Sequence, residues 1–563
     1  AGHTTTLLYL GLIWALFVVW AILLDPNQKI SFSVWFYLRS LVLGLLVSAV
    51  QLLPTLQLIR YSGRLSQGGF EFATRFSLPW GQIVSLLIPE WYGEPTRIGY
   101  WGGENFEELT AYPGIFAAAA FLFAVFIFRR KNWRSWQNFF VLLGLIGILI
   151  GLGSNGFLYG LLYQVFPPFR VMRAPGRALF FVAFSAPVLL GLLIHHLQVQ
   201  TQHGSRYLRN QILISVALWF GLMSVLWLSW SMAQNGDIVG RRWHQFQNVA
   251  IVGAVLVAGS CLWLWLTRNA IIWGQGMKLF VMSGMLLLLV FDLGWFGRKL
   301  IEPQPMTPNV LWFEAAQILN EGEQIGRILP WGINIFLQNG AGQVGLDSIF
   351  GYNTLENGAI TSLAASVPDP RSPAYDVLAV THVVAEAGLE QFTTGSRGLN
   401  LQNQINRTRV FSRPTALPYV RLVGAVETVQ NSEMLLERLH HPDFDPSQIV
   451  LFTQESDCVL TSGFDNGQVD VVERRPGYLQ LTVQSDEPAY LIVAETAFPG
   501  WTAQVNGRST PVEPAYGAIQ AVCLPEGAST VILNFRPFIF LWGGLFSLLG
   551  LVICLLMWRR QSK

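Results

Sequence analysis

Nine long apolar runs are the dominant pattern along the chain. Each approaches the length that an α-helix needs to cross roughly 30 Å of hydrocarbon, so the pattern predicts about nine membrane-spanning helices. The predicted spans are Leu7–Leu24, Trp35–Leu53, Pro113–Phe128, Phe139–Leu152, Ala178–Ile194, Ile212–Met232, Val249–Leu266, Lys278–Gly297 and Pro537–Trp558.

The pattern changes between Arg298 and Arg536. Up to about residue 415, Gly-rich turns separate a predicted helix from short apolar strands, which indicates a mixed α/β region. Beyond it, apolar and polar residues alternate with period two, as in Leu479–Val483 and Thr530–Phe535, with turns such as Asn506-Gly507 between the runs. This alternation is typical of an antiparallel β-sandwich.

We therefore predict a polytopic α-helical membrane protein with an α/β region and a β-sandwich before its last transmembrane helix. The predicted parts are a transmembrane helical domain (1–297) with outer loops at 54–112 and 153–177, a mixed α/β region (298–415), a β-sandwich (416–536), and a C-terminal helix with a basic tail (537–563).

Composition and charge support a membrane protein and suggest its orientation. The chain has 563 residues, 52% of them hydrophobic and 12% charged, which is too apolar for an ordinary soluble protein. The net charge of +2 and the lack of a long basic run exclude nucleic acid as an expected partner. The densest basic clusters, Arg129–Lys131 and Arg559–Lys563, are expected to be cytoplasmic, so the region 298–536 is predicted to be extracytoplasmic. The same alternation places Ala1 outside, and we expect a truncated N-terminus.

Two of the four cysteines, Cys458 and Cys523, lie in the polar C-terminal region. They can form a disulfide if that region faces an oxidising compartment and the fold brings them to bonding distance. The sequence leaves this pairing open.

The segment Phe166–Arg177, FPPFRVMRAPGR, places Arg170, Arg173 and Arg177 between two apolar runs. Its prolines disfavour a regular helix, and non-helical backbone at membrane depth requires surrounding protein or a water-filled cavity. Guanidinium groups match phosphate oxygens, so we predict a site for a lipid phosphate. The alternative is that these arginines reach ordinary headgroups or pair with loop carboxylates.

The loop 54–112 combines aromatic and acidic residues. Tyr100 and Trp101 are candidates for sugar binding, and a carboxylate there is a candidate general base or metal ligand. The alternative is an interfacial aromatic belt with solvated charges. The candidate catalytic carboxylates are Glu104, Glu107 and Glu108.

Asp292 lies near the outer end of the run Lys278–Gly297. A carboxylate in lipid is costly and usually has a partner, so we expect it to pair with Arg298 or with an arginine of the segment Phe166–Arg177.

Several short motifs in one order resemble the YfhO-like bacterial membrane proteins, which are placed in the GT-C superfamily of glycosyltransferases. The motifs cover nearly the whole chain. They are Gly2-His3, Ala49–Thr55, Ser77-Leu78-Pro79, Ile88-Pro89, Tyr100-Trp101-Gly102, Phe169-Arg170, Arg173–Arg177, Gly351-Tyr352-Asn353, Phe498–Trp501 and Val505-Asn506-Gly507.

The resemblance implies a multi-pass enzyme of the bacterial plasma membrane. It would move a sugar from a polyprenyl-phosphate donor to a cell-envelope glycan such as a teichoic-acid-type polymer, with the three arginines and His3 near the donor phosphate. Similar enzymes carry an essential acidic residue in their first outer loop, and we expect this chain to begin after that loop. The need for a divalent metal is left open.

Two other functions remain as hypotheses. A transporter or flippase of lipid-linked glycans would use the same cationic cleft, although no internal repeat of the kind common in transporters is visible. A non-enzymatic envelope scaffold would use the β-sandwich to bind glycan or protein. Trp501 in that sandwich could stack on a sugar ring or belong to the core.

Overall fold

The computed structural model describes residues 4–561 apart from several gaps, and it divides the chain into two compact units. The gaps are 25–29, 64–68, 96–98, 127–134, 171, 201–274, 302–309, 320–325, 354, 387, 396, 456–457, 459 and 461–466. Unit 1 comprises residues 1–40 and 67–303, and unit 2 comprises residues 41–66 and 304–563. The predicted spans Ile212–Met232 and Val249–Leu266 and the basic cluster Arg129–Lys131 lie outside the described residues.

Unit 1 is mainly helical. Its long helices bury aromatic and aliphatic side chains against one another, among them Phe139, Leu143 and Phe181. One short hairpin, β1 (Gly93–Glu94) with β2 (Gly99–Tyr100), lies in the predicted outer loop. The helices of unit 1 are Thr4–Leu24, Phe70–Thr74, Phe106–Leu109, Ile115–Phe126, Trp136–Gly151, Leu158–Val165, Phe180–Gln200 and Gln275–Leu300, and Ile30–Val47 crosses the boundary between the units.

A glycine determines how closely two of these helices approach. A Cβ on Gly147 would lie 2.7 Å from the carbonyl oxygen of Ala178 and 2.6 Å from the Cβ of Phe181. The helix Trp136–Gly151 therefore packs on the start of the helix Phe180–Gln200 only because residue 147 has no side chain. This contact holds the segment Phe166–Arg177 against the rest of unit 1.

Among the described residues, three helices are long and apolar enough to cross a membrane. They are Thr5–Leu24, Pro175–His195 and Phe538–Arg560. The predicted span Trp35–Leu53 is instead a helix pair, Val34–Val47 and Ala49–Tyr61, bent by 75°, which gives up to four spans if the pair counts as one. The helices Ile115–Phe126 and Trp136–Gly151 are shorter, with 12 and 16 residues. A membrane protein is supported, and the count of nine spans stays a prediction.

The other strands of the described residues lie in unit 2. They are β3 (Arg327–Trp331), β4 (Val380–Ala385), β5 (Asn400–Ile405), β6 (Thr408–Ser412), β7 (Val420–Val423), β8 (Ala425–Thr428), β9 (Ile449–Phe452), β10 (Gly467–Arg475), β11 (Tyr478–Ser485), β12 (Ala489–Thr496), β13 (Trp501–Val505), β14 (Arg508–Thr510), β15 (Glu513–Ala515), β16 (Ile519–Leu524) and β17 (Gly527–Phe535). In the mixed sheet, β3 pairs parallel with β4, and β6 pairs antiparallel with both β4 and β5. A separate pair, β8 and β9, is parallel.

The alternating segments form two antiparallel sheets. One has the order β10-β11-β17-β13-β14 and the other β15-β16-β12-β7. Inward residues of both, such as Leu481, Leu491, Val522 and Val531, share one buried cluster, as period-two alternation requires. A second cluster runs from Leu329 in β3 to residues of β12 and β16, so the hydrophobic core crosses the predicted boundary at 415.

Turn chemistry and a disulfide fix the strand connections. Asn506 and Gly507 adopt positive φ angles of 51° and 78° in the hairpin between β13 and β14, as a type I′ turn requires. Cys458 and Cys523 form a disulfide, which answers a question that the sequence left open. Cys523 lies on β16, and the bond ties this strand to the segment that follows β9.

A buried ion cluster supports the mixed sheet. The carboxylate of Asp376 accepts hydrogen bonds from Arg413 at 2.7 Å, Arg397 at 2.6 Å and Thr415 at 2.8 Å. The side chains of Asp376 and Arg413 are only 2% and 1% exposed, so neither charge is solvated and each depends on the other.

The helices of unit 2 include a close pair. A Cβ on Gly543 would lie 2.8 Å from the Cα of Val50, and the backbone N–H of Val50 donates to the Ser547 hydroxyl at 2.9 Å. Small residues thus allow Ala49–Tyr61 to contact the C-terminal helix, as in many helix pairs within membranes. The helices of unit 2 are Ala49–Tyr61, Val310–Leu319, Gly358–Ala364, Pro373–Val377, Ser432–Leu439 and Phe538–Gln561.

Candidate functional site

The segment Phe166–Arg177 is irregular, as its prolines predict. Two short 3₁₀ turns, Pro167–Arg170 and Pro175–Leu179, flank a residue with left-handed backbone, Ala174, whose φ is 67°. The Tyr159 hydroxyl, in the helix Leu158–Val165 that precedes this segment, donates to the carbonyl of Ala73 at 3.0 Å and so holds that helix against the helix Phe70–Thr74. The three predicted arginines therefore occupy three different environments.

Arg177 is paired with a loop carboxylate. Its guanidinium donates two hydrogen bonds to the two carboxylate oxygens of Glu108. The side chains are 26% and 15% exposed, which makes the pair largely shielded from water. For this arginine the structure shows the alternative that the sequence left open, pairing with a loop carboxylate.

Arg170 is engaged with backbone oxygens. Its Nε donates to the carbonyl of Tyr163 at 3.0 Å and its Nη2 to that of Gln164 at 2.8 Å. These carbonyls lie in the last turn of the helix Leu158–Val165, where a cation is favoured by the helix dipole. Arg170 is exposed, but its side chain is already oriented by the helix.

Arg173 has no carboxylate partner among the residues that the structure describes. Its Cζ lies 5.3 Å from the ring centre of Phe76 and 5.7 Å from that of Phe72, so aromatic faces hold the half-buried cation. Arg75, which is exposed, lies over the same Phe76 ring with its Cζ 5.8 Å from the ring centre. The two guanidinium groups therefore share one ring, and neither donates a hydrogen bond to a residue in the described part of the chain.

One candidate carboxylate contacts the backbone of Phe76, the residue whose ring carries the two cations. Glu104 accepts a hydrogen bond from the backbone N–H of Phe76 at 3.2 Å, and Phe76 itself has a positive φ of 61°. Glu104 and Glu107 are exposed, whereas Glu108 is engaged with Arg177. The structure thus joins Glu104 to the backbone of the residue whose ring carries Arg75 and Arg173, and it leaves Glu107 exposed.

The predicted sugar-binding aromatics pack within their own loop. Tyr100 accepts a hydrogen bond from Gln82 at 2.6 Å and places its ring edge-on to Phe106, with 5.3 Å between ring centres. Trp101 covers Gly93, where a Cβ would lie 2.6 Å from the indole. Both rings brace the loop, and their role in sugar binding stays a prediction.

Asp292 has polar partners of a different kind from those expected. Its carboxylate accepts from the Tyr112 hydroxyl at 2.8 Å and from the backbone N–H of Ile115 at 2.9 Å. Asp292 therefore caps the first turn of the helix Ile115–Phe126. The expectation that it pairs with an arginine was wrong. The carboxylate is only 6% exposed because these donors replace water.

Two candidate features remain outside this geometry. His3 lies outside the described residues. Within the described part of the chain, no group of three or more His, Cys, Asp or Glu side chains could hold a metal ion. Nothing in the sequence marks Arg75 as a site residue, because only folding brings Arg173 to the ring of Phe76, which is next to Arg75 in the chain.

Comparison with known proteins gives no relative from which a role could be transferred: no family model, curated protein or solved structure matches the chain.

Proposed function

We propose that this chain is a membrane glycosyltransferase. It would transfer a sugar from a polyprenyl-phosphate carrier to an extracytoplasmic glycan acceptor at a bacterial plasma membrane. The observation that carries the proposal is Arg173, a cation held by two aromatic rings without a carboxylate partner in the described chain. It lies two residues before the candidate span Pro175–His195.

The donor phosphate would bind between Arg173 and Arg75. Phosphate oxygens accept several N–H donors at once, and guanidinium groups supply them in a planar fork. Stacking on Phe72 and Phe76 orients the cations without neutralising them, whereas a carboxylate partner would compete with the ligand. In this proposal Arg177 supports the site through Glu108 rather than through the phosphate.

Glu104 is the carboxylate that we assign as general base. Its hydrogen bond to the backbone of Phe76, the residue whose ring carries the two arginines, supports this assignment. An acceptor hydroxyl held between Glu104 and the donor sugar would lose its proton to Glu104 as the new glycosidic bond forms and the carrier phosphate leaves. Alignment of donor and acceptor would supply much of the rate, and general-base catalysis contributes roughly 10²–10⁴-fold.

The disulfide Cys458–Cys523 supports an extracytoplasmic location for the sheets of unit 2. Structural disulfides persist in oxidising compartments and are rare in the cytosol. This location agrees with the orientation that the basic tail Arg559–Lys563 predicts.

The test is donor binding by the full chain in phosphatidylcholine nanodiscs, with a polyprenyl monophosphate as probe and the uncharged polyprenol as its comparison. Arg173→Gln should weaken phosphate binding at least about tenfold, since hydrogen bonds to charged groups are worth roughly 1.5–3 kcal/mol. Arg39→Gln is the matched control, because Arg39 also stacks on an aromatic ring, 4.8 Å from the centre of Trp35.

Equal affinity of the Arg173→Gln variant, or equal affinity of the wild type for polyprenol and its phosphate, would refute the arginine assignment. Glu104→Gln should retain donor binding and lose transfer to an added glycan. Loss of binding in Glu104→Gln would instead show that this residue acts on the shape of the loop.

A transporter of lipid-linked glycans is the second candidate, and the bent helix pair favours it. Broken helices are common where transporters bind their substrates, and the 75° bend between Val34–Val47 and Ala49–Tyr61 has this form. Reconstitution in liposomes separates the two functions: a flippase moves a fluorescent lipid-linked sugar between leaflets without an acceptor, and a transferase needs the acceptor.

A further inference from the structure

Unit 2 contains a polar and aromatic depression that the proposed function does not use. It consists of two adjoining cavities of about 400 Å³ each, a size found in small-molecule sites. The two share Asp347, Arg474 and Glu495 on their walls. The depression therefore lies where one edge of the sandwich meets the segment that follows the mixed sheet's first strand.

Aromatic rings form one side of this depression. Trp501 and Tyr478, each the first residue of its strand, line it together with Tyr419. Trp501 is half-buried and packs on Phe535 with 5.4 Å between ring centres, so part of its indole contacts the core and part faces the cavity. Both roles that the sequence allowed for Trp501 are thus compatible with its position.

Charged groups in the depression are paired with one another. Arg474 donates to Asp347 at 2.7 Å, and Arg327 lies 3.5 Å from Glu495. Burial and the nearby Glu495 raise the pKa of the Tyr419 phenol, which stays protonated and donates to Glu495 at 2.9 Å. Arg475, which also lines the depression, lies 3.3 Å from Glu473. Because each arginine of the depression has a carboxylate partner, the cavity favours a neutral polar ligand over an ion.

The floor holds a polar group with an unused acceptor. Gln520 is fully buried, and its amide N–H₂ donates to the carbonyl of Thr496 at 3.0 Å. Its amide oxygen has no hydrogen-bond partner among the described residues. A buried acceptor without a donor costs roughly 1–3 kcal/mol, so a hydroxyl held in the cavity would remove this cost.

We propose that this depression is a saccharide-binding pocket. A sugar ring presents an apolar C–H face to an aromatic side chain and hydroxyl groups to planar polar partners. Trp501 would supply the aromatic face, and Arg474, Glu495 and Gln520 would supply hydrogen bonds to hydroxyls. The inference does not rest on the transferase proposal, because every lining residue belongs to unit 2.

The experiment uses the full chain in nanodiscs, since detergents with sugar headgroups would compete for the pocket. Maltotetraose, chitotetraose and tetragalacturonic acid are the probes, and saturation-transfer NMR and calorimetry measure binding. We expect at least one neutral oligosaccharide to bind and Trp501→Leu to weaken it about tenfold, equivalent to roughly 1.4 kcal/mol.

Because Trp501 also packs on Phe535, two further variants separate binding from folding. Arg474→Gln changes a solvent-accessible side chain, 44% exposed, and Gln520→Leu removes the amide while keeping the side chain's approximate size. Both should weaken binding, and Arg508→Gln, on the exposed strand β14, should not. Arg173→Gln should also leave saccharide binding unchanged, so failure here and failure of the donor site are distinguishable.

Three results would overturn the proposal: no binding of any probe to folded wild type, unchanged affinity in both Arg474→Gln and Gln520→Leu, or binding of tetragalacturonic acid alone with loss in high salt. The last result would show a charge-driven surface interaction.

Discussion

The ion pair between Arg177 and Glu108 gives the sharpest test of how the arginine segment is used. If Arg177 is structural, replacing either partner with methionine removes the pair and leaves the other charge in a half-buried place. If it is a phosphate ligand, Glu108→Met should release it and strengthen donor binding. The two roles therefore predict opposite changes in donor binding for Glu108→Met: weaker binding if Arg177 is structural, and stronger binding if it is a phosphate ligand.

The magnitude follows from the burial of the pair. Exposed ion pairs contribute about 0–1 kcal/mol and breaking fully buried ones costs about 3–5 kcal/mol, so side chains that are 26% and 15% exposed suggest about 2 kcal/mol for a single replacement. The backbones are also close, because a Cβ on Gly176 would lie 2.7 Å from the carbonyl oxygen of Glu108. Loss of the ion pair should therefore loosen the backbone around Glu108 and the backbone around Arg177 together.

Hydrogen exchange of the full chain in nanodiscs measures this local opening. The N–H groups of Gly176 and Arg177, which donate to Phe76 and Ala174 at 3.2 Å each, should exchange about 30-fold faster in each single variant. The double variant, with neither charge, should recover much of the protection. Single variants that exchange like the wild type, together with loss of donor binding in Arg177→Met alone, would refute the structural role.

Three further predictions concern unit 2, each followed by denaturant unfolding of the full chain with far-ultraviolet circular dichroism. Asp376→Asn should lower the free energy of unfolding by about 3–5 kcal/mol, because it leaves Arg413 buried without its counter-charge. The control Asp369→Asn, at a more exposed ion pair, should lower it by less than about 1 kcal/mol. Equal losses in the two variants would contradict the prediction. Cys523→Ser should cost about 4 kcal/mol, because the disulfide closes a loop over a separation of 65 residues, and an unchanged midpoint would show that the bond does not constrain the unfolded chain. Burial lowers the pKa of His382 below its usual 6.5, so the unfolded chain binds a proton at a higher pH than the folded chain, and the free energy of unfolding should fall as the pH drops below about 6.5. His382→Gln should reduce this dependence of stability on pH. An unchanged dependence in that variant would assign it to other groups.

Local pattern predicted those elements whose environment is uniform along their length. The run Leu7–Leu24 lies within the helix Thr4–Leu24, and the alternation in Leu479–Val483 falls within β11. Asn506-Gly507 marked a hairpin because few other pairs accept two positive φ angles. In each case the signal lies in neighbouring residues, so no tertiary information was needed.

The sequence pattern did not predict a break in one of the long helices. The run Trp35–Leu53 is apolar throughout, yet the helix breaks at Ser48, whose hydroxyl donates to the carbonyl of Gly44 at 2.7 Å. Hydropathy reports the environment of side chains and not whether the helix axis is straight. Without a proline at the break, the pattern contained no signal for it.

Partner assignments depended on contacts between distant residues. The pairing of Arg177 with Glu108 spans 69 positions, and that of Asp292 with Tyr112 spans 180. Sequence analysis identified that such polar groups need partners, since burial without them is costly, but several partners satisfied the same requirement. The need for partners was therefore predictable, but not which arginine would lack a carboxylate partner among the described residues.

The two proposed sites differ in how their charges are balanced, and this difference predicts their ligands. In unit 1, Arg173 rests on aromatic rings, which orient a cation without cancelling its charge, so an anion gains the full electrostatic attraction. In unit 2, Arg474 is paired with Asp347, so an ionic ligand would have to displace a carboxylate, whereas hydroxyl groups can add to the existing pair. Arg474 also stacks on the Tyr419 ring, with its Cζ 4.2 Å from the ring centre. The carboxylate pairing, and not the aromatic contact, is therefore what favours a sugar in unit 2 and a phosphate in unit 1.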